Sequence, residues 1–284
     1  MGNGGSLIEK ILKLKYIKLI GVVADKTSEV EKRYFGSAFS IGKKLKVPVI
    51  SQNSFNKNYN NYLKNIFQNI DIIFVQGYHH KIKKGILKNE KIKVINFHQS
   101  LLPKYAGRHP LNWAIINGEK VTGITFHYVN ENFDEGDIIL QKKIRVFKDD
   151  AVQLYKKTIK SASRYIKKVF ELIYDNSFIS IKQDLTKREY FPPRKPTDGE
   201  ILKDDSIEQI KNKIKALVFP YPGAFIHLNG KKVIIDQVVS VKKIKKYRDI
   251  GFVGKYNSNI ILKAGDGLLK VTKFRNGMVN MRIY

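Results

Sequence analysis

"KVINFHQSLLPKYAGRHP", residues 93–110, decides how this chain reads. Its opening apolar run has the period of a β-strand, and it carries Asn96 and His98 two apart, which places both side chains on one face. A proline, a glycine and basic residues follow, so the strand runs out into a loop with an amide and an imidazole at its mouth. In open α/β sheets, ligands collect outside the carboxyl ends of the strands.

Reading outward from that stretch, apolar and amphipathic blocks alternate. "YIKLIGVVAD" (16–25), "VPVIS" (47–51) and "DIIFVQG" (71–77) have strand character, while "EVEKRYFGSAFSIGKKL" (29–45) and "NYLKNIFQNI" (61–70) have helical spacing. The basic segment "KIKKGILKNEK" (81–91) separates "DIIFVQG" from the strand "KVINFH" (93–98). This alternation predicts an α/β fold with a mainly parallel sheet and helices on its faces.

Downstream, "PLNWAIINGE" (110–119) predicts a short helix, and "TGITFHYVN" and "IILQKKIRVF" predict two strands joined by the acidic turn "ENFDEGD" (131–137). A long amphipathic helix over 151–175 closes this unit. "REYFPPRKPTDGE" (188–200) then concentrates three prolines, which fit neither a helix interior nor a central strand, and marks a connector. One helix and several short strands divided by Gly and Asn follow. The expected organisation is a catalytic domain over 1–182, a proline-rich connector over 183–203 and a small β-rich C-terminal module over 204–284.

With 284 residues and 43% hydrophobic composition the chain can bury a full core. No apolar run approaches the length of a membrane span, and the opening "MGNGGSLIEK" lacks the order of a signal peptide, so a cytoplasmic protein without membrane association is the expectation. The absence of cysteine removes disulfides, thiolate nucleophiles and cysteine-based zinc sites. A formal charge of +28 ordinarily points to a polyanionic partner. Here the excess is lysine spread from Lys10 to Lys273 with no nucleic-acid motif and no basic tail, which reads as a solvated surface, and a nucleic-acid partner is not expected.

A neutral imidazole takes up and returns a proton, an amide donates to a developing oxyanion, and a nearby carboxylate orients the imidazole and raises its basicity. Such a trio suits acyl transfer to an amine. No nucleophile-elbow serine or cysteine offers a covalent route, so direct attack by the amine is favoured. By itself, Asn-x-His at a strand end is more often a structural pair than a catalytic one.

The longer pattern carries a resemblance. Asn96-x-His98-x-Ser100-Leu101-Leu102-Pro103, Gly107, Pro110 and "FDEGDIILQ" (133–141) resemble the folate-dependent formyltransferase family. "LLPKYAGRHPLNWAIINGE", "FPPRKPTDGEI", "VFPYPGAF" and "GDGLLKV" are similar to its nucleotide-sugar N-formyltransferase branch, including the domain that acts on UDP-4-amino-4-deoxy-L-arabinose. Ala106 departs from that pattern, standing where an arginine is common.

The resemblance implies a Rossmann-like first domain and transfer of formyl from N10-formyltetrahydrofolate to the amine of a dTDP- or UDP-linked 4-amino or 3-amino deoxysugar, as in O-antigen or lipopolysaccharide biosynthesis. It implies that Asn96 stabilises the oxyanion, His98 handles the proton and Asp134 orients His98. Arg108, Asn130, Glu131, Asn132 and Phe133 would contact the folate donor. Lys104, Tyr105, Arg194 and Lys195 are further candidates for holding the acceptor, the last two through its diphosphate, since arginine suits bidentate phosphate contacts. No metal is implied, and a homodimer is compatible with the pattern. Methionyl-tRNA formyltransferase is the alternative from the same chemistry, and a non-catalytic basic RNA-binding module is the alternative from another class.

Relatives complete a strand before the point where this chain reads "GNGGS". The first strand of such a sheet is central, so a gap or an unusual edge is expected beside "KLIGVVAD", with a late start at Met1. "GNGGS" itself reads as a turn ahead of a helix rather than a phosphate loop. His79, His80, His109, His127 and His227 lack metal-ligand spacing and read as surface or pocket-lining residues. Trp113 is expected in the core beneath the loop.

Overall fold

A computed structural model of the chain describes residues 1, 4–78, 80–175, 177–241, 252–256 and 259–276. Gly2, Asn3 and His79, on which two of the readings above fall in part, lie outside the described residues. By packing, the chain divides into two compact units. The first gathers 1–107, 121–145 and 155–191, and the second gathers 108–120, 146–154 and 192–284. The divisions inferred from sequence are linear, whereas these units interleave: residues 108–120 and 146–154 fold with the C-terminal part.

In chain order the elements are α1 (Ile8–Ile11), β1 (Val22–Val23), α2 (Glu29–Phe35), α3 (Ala38–Lys44), β2 (Val49–Ile50), α4 (Gln52–Asn65), β3 (Ile72–Val75), α5 (Lys84–Leu87), β4 (Lys93–His98), β5 (Ala106–Gly107), α6 (Pro110–Ile116), β6 (Val121–Tyr128), β7 (Ile138–Arg145) and α7 (Ala151–Tyr174). They continue as β8 (Tyr190–Phe191), α8 (Ile207–Ala216), β9 (Ala224–Leu228), β10 (Lys231–Val241), β11 (Val253–Tyr256), β12 (Asn259–Ala264) and β13 (Gly267–Asn276). The single helix expected over 29–45 is two helices, because Gly36 takes a positive φ of 73° and Ser37 begins a new cap that accepts from the Ser40 N–H.

In the first unit β3 and β4 pair in parallel, and β6 and β7 add antiparallel to give the order β3-β4-β6-β7. The faces follow from alternation. Ile95 and Phe97 of β4, with Ile124 and Phe126 of β6, pack against Ile166, Val169, Phe170 and Ile173 of α7. Val94 points the other way and packs with Phe55 of α4 and Ile86 of α5. Burying each such side chain contributes about 1.5–3 kcal/mol. The parity that buries Ile95 and Phe97 under α7 turns Asn96 and His98 to the opposite face.

The strands β1 and β2 form a separate parallel pair, so the sheet is interrupted between β1 and β3. A cavity of about 370 Å³ occupies the interruption. This is the gap expected beside "KLIGVVAD". Met1 and Gly4 do bond to the end of β3, at Phe74 and Gln76, but the chain then turns into α1 rather than running as a strand.

In the second unit α6 packs on α8, and Asn112 donates to the Ala216 carbonyl at 2.6 Å. Trp113 therefore belongs to this unit. A five-stranded antiparallel sheet, β11-β12-β13-β10-β9, makes up the β-rich module. Among the described residues no helix is long and apolar enough to cross a membrane.

Candidate active site

The end of β4 delivers Asn96 and His98 into a cluster built on Asp134. β6 runs antiparallel beside β4 with Asn96 opposite His127 and His98 opposite Thr125, so His127 shares their face. Asp134 is brought in by the β6–β7 turn in a left-handed conformation, φ 60°. Its Oδ2 accepts from the Gly107 N–H at 2.9 Å and its Oδ1 accepts from the Asn96 amide at 3.2 Å. The same oxygen lies 3.6 Å from His98 Nδ1 and 3.6 Å from His127 Nε2.

The carbonyl partners assign the histidine tautomers. His98 Nε2 is 2.8 Å from the Tyr105 carbonyl, which can only accept, so Nε2 carries the hydrogen and Nδ1, facing Asp134, is the nitrogen left to take a proton. His127 Nδ1 donates to the Tyr128 carbonyl at 2.7 Å, and its Nε2 accepts from the Asn96 amide at 3.1 Å. His98 is 7% exposed and His127 1%. Burial alone would raise the Asp134 carboxyl, but the two histidines and the Gly107 N–H hold it well below the usual carboxylate range. The cluster is thus a buried carboxylate poised to stabilise an imidazolium.

Two glycines let the backbone close around it. A Cβ on Gly136 would lie 1.8 Å from the Tyr128 carbonyl oxygen, and one on Gly107, where φ is 97°, would lie 2.1 Å from that of Phe191. Two later side chains of the same unit brace the turn. Gln183 donates to the carbonyls of Asp134 at 2.8 Å and Gly136 at 2.7 Å, and Arg188 reaches the Phe133 carbonyl at 3.3 Å and pairs with Glu135 at 3.2 Å.

The structure brings Asn96, His98 and Asp134 together as the sequence suggested. The suggested donor contacts Asn130, Glu131, Asn132 and Phe133 are exposed on the turn. Glu131 and Asn132 line a cavity of about 590 Å³ together with His80, Lys81, Ile82 and Lys84. Lys84 pairs with Glu131 at 2.6 Å, and Lys81 lies over the Phe133 ring at 5.4 Å. Tyr105 is buried and stacks on Phe191, with centroids 4.7 Å apart, while Lys104 pairs with Glu189 at 3.2 Å. Ala106 is buried in the β5–β8 pairing.

Arg108, Arg194 and Lys195 belong to the second unit. Arg194 is 6% exposed, and its Nε and Nη2 have no hydrogen-bond partner among the described residues. Burial lowers its affinity for the proton, with Asp198 and Tyr221 acting against that.

Sequence reasoning gave His80 and His127 only as surface or pocket-lining residues, and it passed over Gln183, Arg188 and residues 81–84 as parts of the site. His127 could have been found from its parity with Asn96 once the antiparallel register was known. Gln183 and Arg188 carry no local signal.

Residues 8–169 match the formyl transferase family model, and residues 194–282 match the model of the formyl transferase C-terminal domain. The chain belongs to the formyl transferase family. Among curated relatives, it is 37% identical over 256 residues to the bifunctional polymyxin resistance protein ArnA of Wigglesworthia glossinidia brevipalpis, covering 88% of this chain and 38% of that protein. The chain therefore spans well under half the length of this relative. It is also 31% identical over 223 residues to the methionyl-tRNA formyltransferase of Caldicellulosiruptor saccharolyticus, covering 78% and 70%.

Among solved structures, the formyl transferase fold is shared with an N-formyltransferase from Helicobacter canadensis in complex with folinic acid and dTDP-3-aminofucose. That match has a TM-score of 0.67 at 22% identity, over 96% of this chain and 97% of the other. The sugar 3N-formyl transferase WlaRD matches with a TM-score of 0.67 at 21% identity, over 96% of each chain.

Proposed function

We propose that this formyl transferase moves a formyl group from N10-formyltetrahydrofolate to the amine of a nucleotide-linked amino deoxysugar, with a dTDP- or UDP-linked 3-amino or 4-amino sugar as acceptor. The observation that carries the chemistry is the single buried cluster in which Asn96, His98 and His127 converge on the Asp134 carboxylate. In this reading the acceptor nitrogen forms its bond to the formyl carbon as the bond from that carbon to N10 of the folate breaks. On the same reading, one N–H of the Asn96 amide shifts from its present partner to the formyl oxygen while the other keeps the amide in place. The amine proton passes to His98 Nδ1, where the Asp134 carboxylate stabilises the imidazolium, and from there to N10. No metal is required.

The cavity bounded by His80, Ile82, Glu131 and Asn132 next to this turn has the size for the donor, and its lysines suit the carboxylates of a folate. Asn130 and Phe133, on the same turn as Glu131 and Asn132, complete this part of the donor set. For the acceptor, the buried Arg194 guanidinium, whose Nε and Nη2 have no hydrogen-bond partner among the described residues, is suited to a phosphate oxygen, with Lys195 next to it in the same unit. The whole-length similarity to sugar formyl transferases supports the sugar acceptor. The methionyl-tRNA formyltransferase relative supports the second reading.

The test is turnover with N10-formyltetrahydrofolate against a panel of dTDP- and UDP-linked 3-amino and 4-amino sugars, run beside initiator methionyl-tRNA. Formylation of at least one amino sugar with the tRNA inert is the expected result. Efficient formylation of the tRNA with every amino sugar inert would replace the sugar with the tRNA.

A further inference from the structure

The cavity of about 590 Å³ beside the β6–β7 turn has a wall of one sign. Its described lining residues include Lys81, Lys83 and Lys84, and its carboxylate is Glu131. The local sequence explains why the lysines gather there. Ile82 and Ile86 are four apart and buried in the core with Phe55 and Val94, which pins the segment and leaves the basic residues between and around them turned outward. Lys84 pairs with Glu131 at 2.6 Å. That hydrogen bond, with Lys88 and Lys81 near it, holds the Glu131 carboxyl below its usual range. Lys88 caps the end of α5, about 6 Å beyond Lys84 along the helix axis, so positive charge continues past the lining of the cavity.

The two ends of a folate differ in charge. The pterin end is neutral, whereas the glutamyl end carries two carboxylates, and only the latter gains from a lysine wall. The lysines therefore orient the donor, with its glutamyl end toward residues 81–84. Lys81, Lys83, Lys84 and Lys88 set against Glu131 and the two carboxylates of one glutamate still leave the wall positive. Each further glutamate joined through a γ-amide adds one net negative charge, and a tail leaving the cavity along α5 meets Lys84 and then Lys88. Glu131 already engages Lys84 as a tail carboxylate would.

We propose that residues 81–88 form a subsite for a γ-glutamyl tail, and that this formyl transferase selects N10-formyltetrahydrofolate bearing several γ-linked glutamates over the monoglutamate. The proposal rests on the reading of this cavity as the donor's and is independent of which amine accepts the formyl group. Because the lysine heads are solvated, each added ion pair contributes little, and the preference is of modest size and sensitive to salt.

The test compares the monoglutamyl and triglutamyl forms of 5-formyltetrahydrofolate in calorimetric titrations, which need no acceptor. The parent, a Lys84→Glu/Lys88→Glu double variant and a Lys84→Arg/Lys88→Arg double variant are titrated at about 50 and 300 mM salt. The parent is expected to bind the triglutamate about tenfold more tightly at low salt, with the ratio shrinking at high salt. Charge reversal should bring the ratio to about one or below, and the arginine pair should keep it, which separates charge from folding. Equal affinity of the parent for both forms at low salt would overturn the proposal and leave the donor cavity standing. So would a ratio unchanged by charge reversal. Failure of either form to bind would instead remove the donor reading, and this proposal with it. If charge reversal raised KM for the acceptor while leaving the triglutamate preference in place, the lysines would belong to the acceptor's phosphates and the tail subsite would be wrong.

Discussion

Asp134 gathers an amide, a backbone N–H and two imidazoles around one carboxylate, and each contact has a measurable consequence. Removing the proposed proton acceptor by His98→Ala should lower turnover by about 10²–10⁴, and removing the proposed oxyanion donor by Asn96→Ala by about 10²–10³, with the fold intact by circular dichroism. Near-normal turnover of His98→Ala at saturating donor and acceptor would end the assigned mechanism. The sign of the Asp134 shift also sets an acid limb. A carboxyl held below its ordinary value in the folded state stabilises the fold above the unfolded pKa of about 3.9, and that stabilisation is lost as pH falls through the lower folded value. Melting temperature measured downward from pH 5 should therefore fall less steeply in Asp134→Asn than in the parent. Parallel curves would show that Asp134 contributes no such term.

At the scale of elements, the β6–β7 turn is what places Asp134, and it is held from outside its own sequence. Gly136 meets the Tyr128 carbonyl closely enough that Gly136→Ala must move the turn, at a cost of about 1–3 kcal/mol with a loss of turnover beyond what the stability change explains. Gln183→Ala removes two hydrogen bonds from the turn without touching the cluster itself. Turnover should drop by about tenfold while the melting temperature stays within a few degrees, because a small displacement of a positioned group is costly to rate. A Gln183→Ala enzyme with unchanged turnover would show that the turn keeps its shape unaided. α6 illustrates a different division of labour. It follows the site loop directly in sequence, yet it packs on α8 in the other compact unit.

At the scale of the whole molecule, the net charge of +28 bears on which acceptor is used. Binding through many phosphate contacts weakens steeply with salt, because each neutralised phosphate releases counterions. A diphosphate offers only a few such contacts. Raising salt from 50 to 200 mM should cost the proposed amino-sugar reaction about tenfold or less in kcat/KM, against the 10³–10⁵ expected of an acceptor held by six to ten phosphates. A loss in the larger range would return the lysines to a functional role.

Several features followed from the sequence alone. Strict alternation put Asn96 and His98 on one face of β4, because the strand period is fixed by the backbone and the alternating Ile95 and Phe97 had to be buried. Apolar periodicity likewise marked the long helix α7. Asp134 was legible only as part of a longer motif. The tertiary structure alone decided that His127 faces Asn96, since that depends on the β4–β6 register. It also decided that Gln183 and Arg188 return to brace a turn about fifty residues earlier in the chain, and that residues 108–120 fold with the C-terminal unit. Local pattern reports which face of an element is apolar. Which elements meet, and in what register, is settled by packing between segments far apart in the chain, where no local signal reaches.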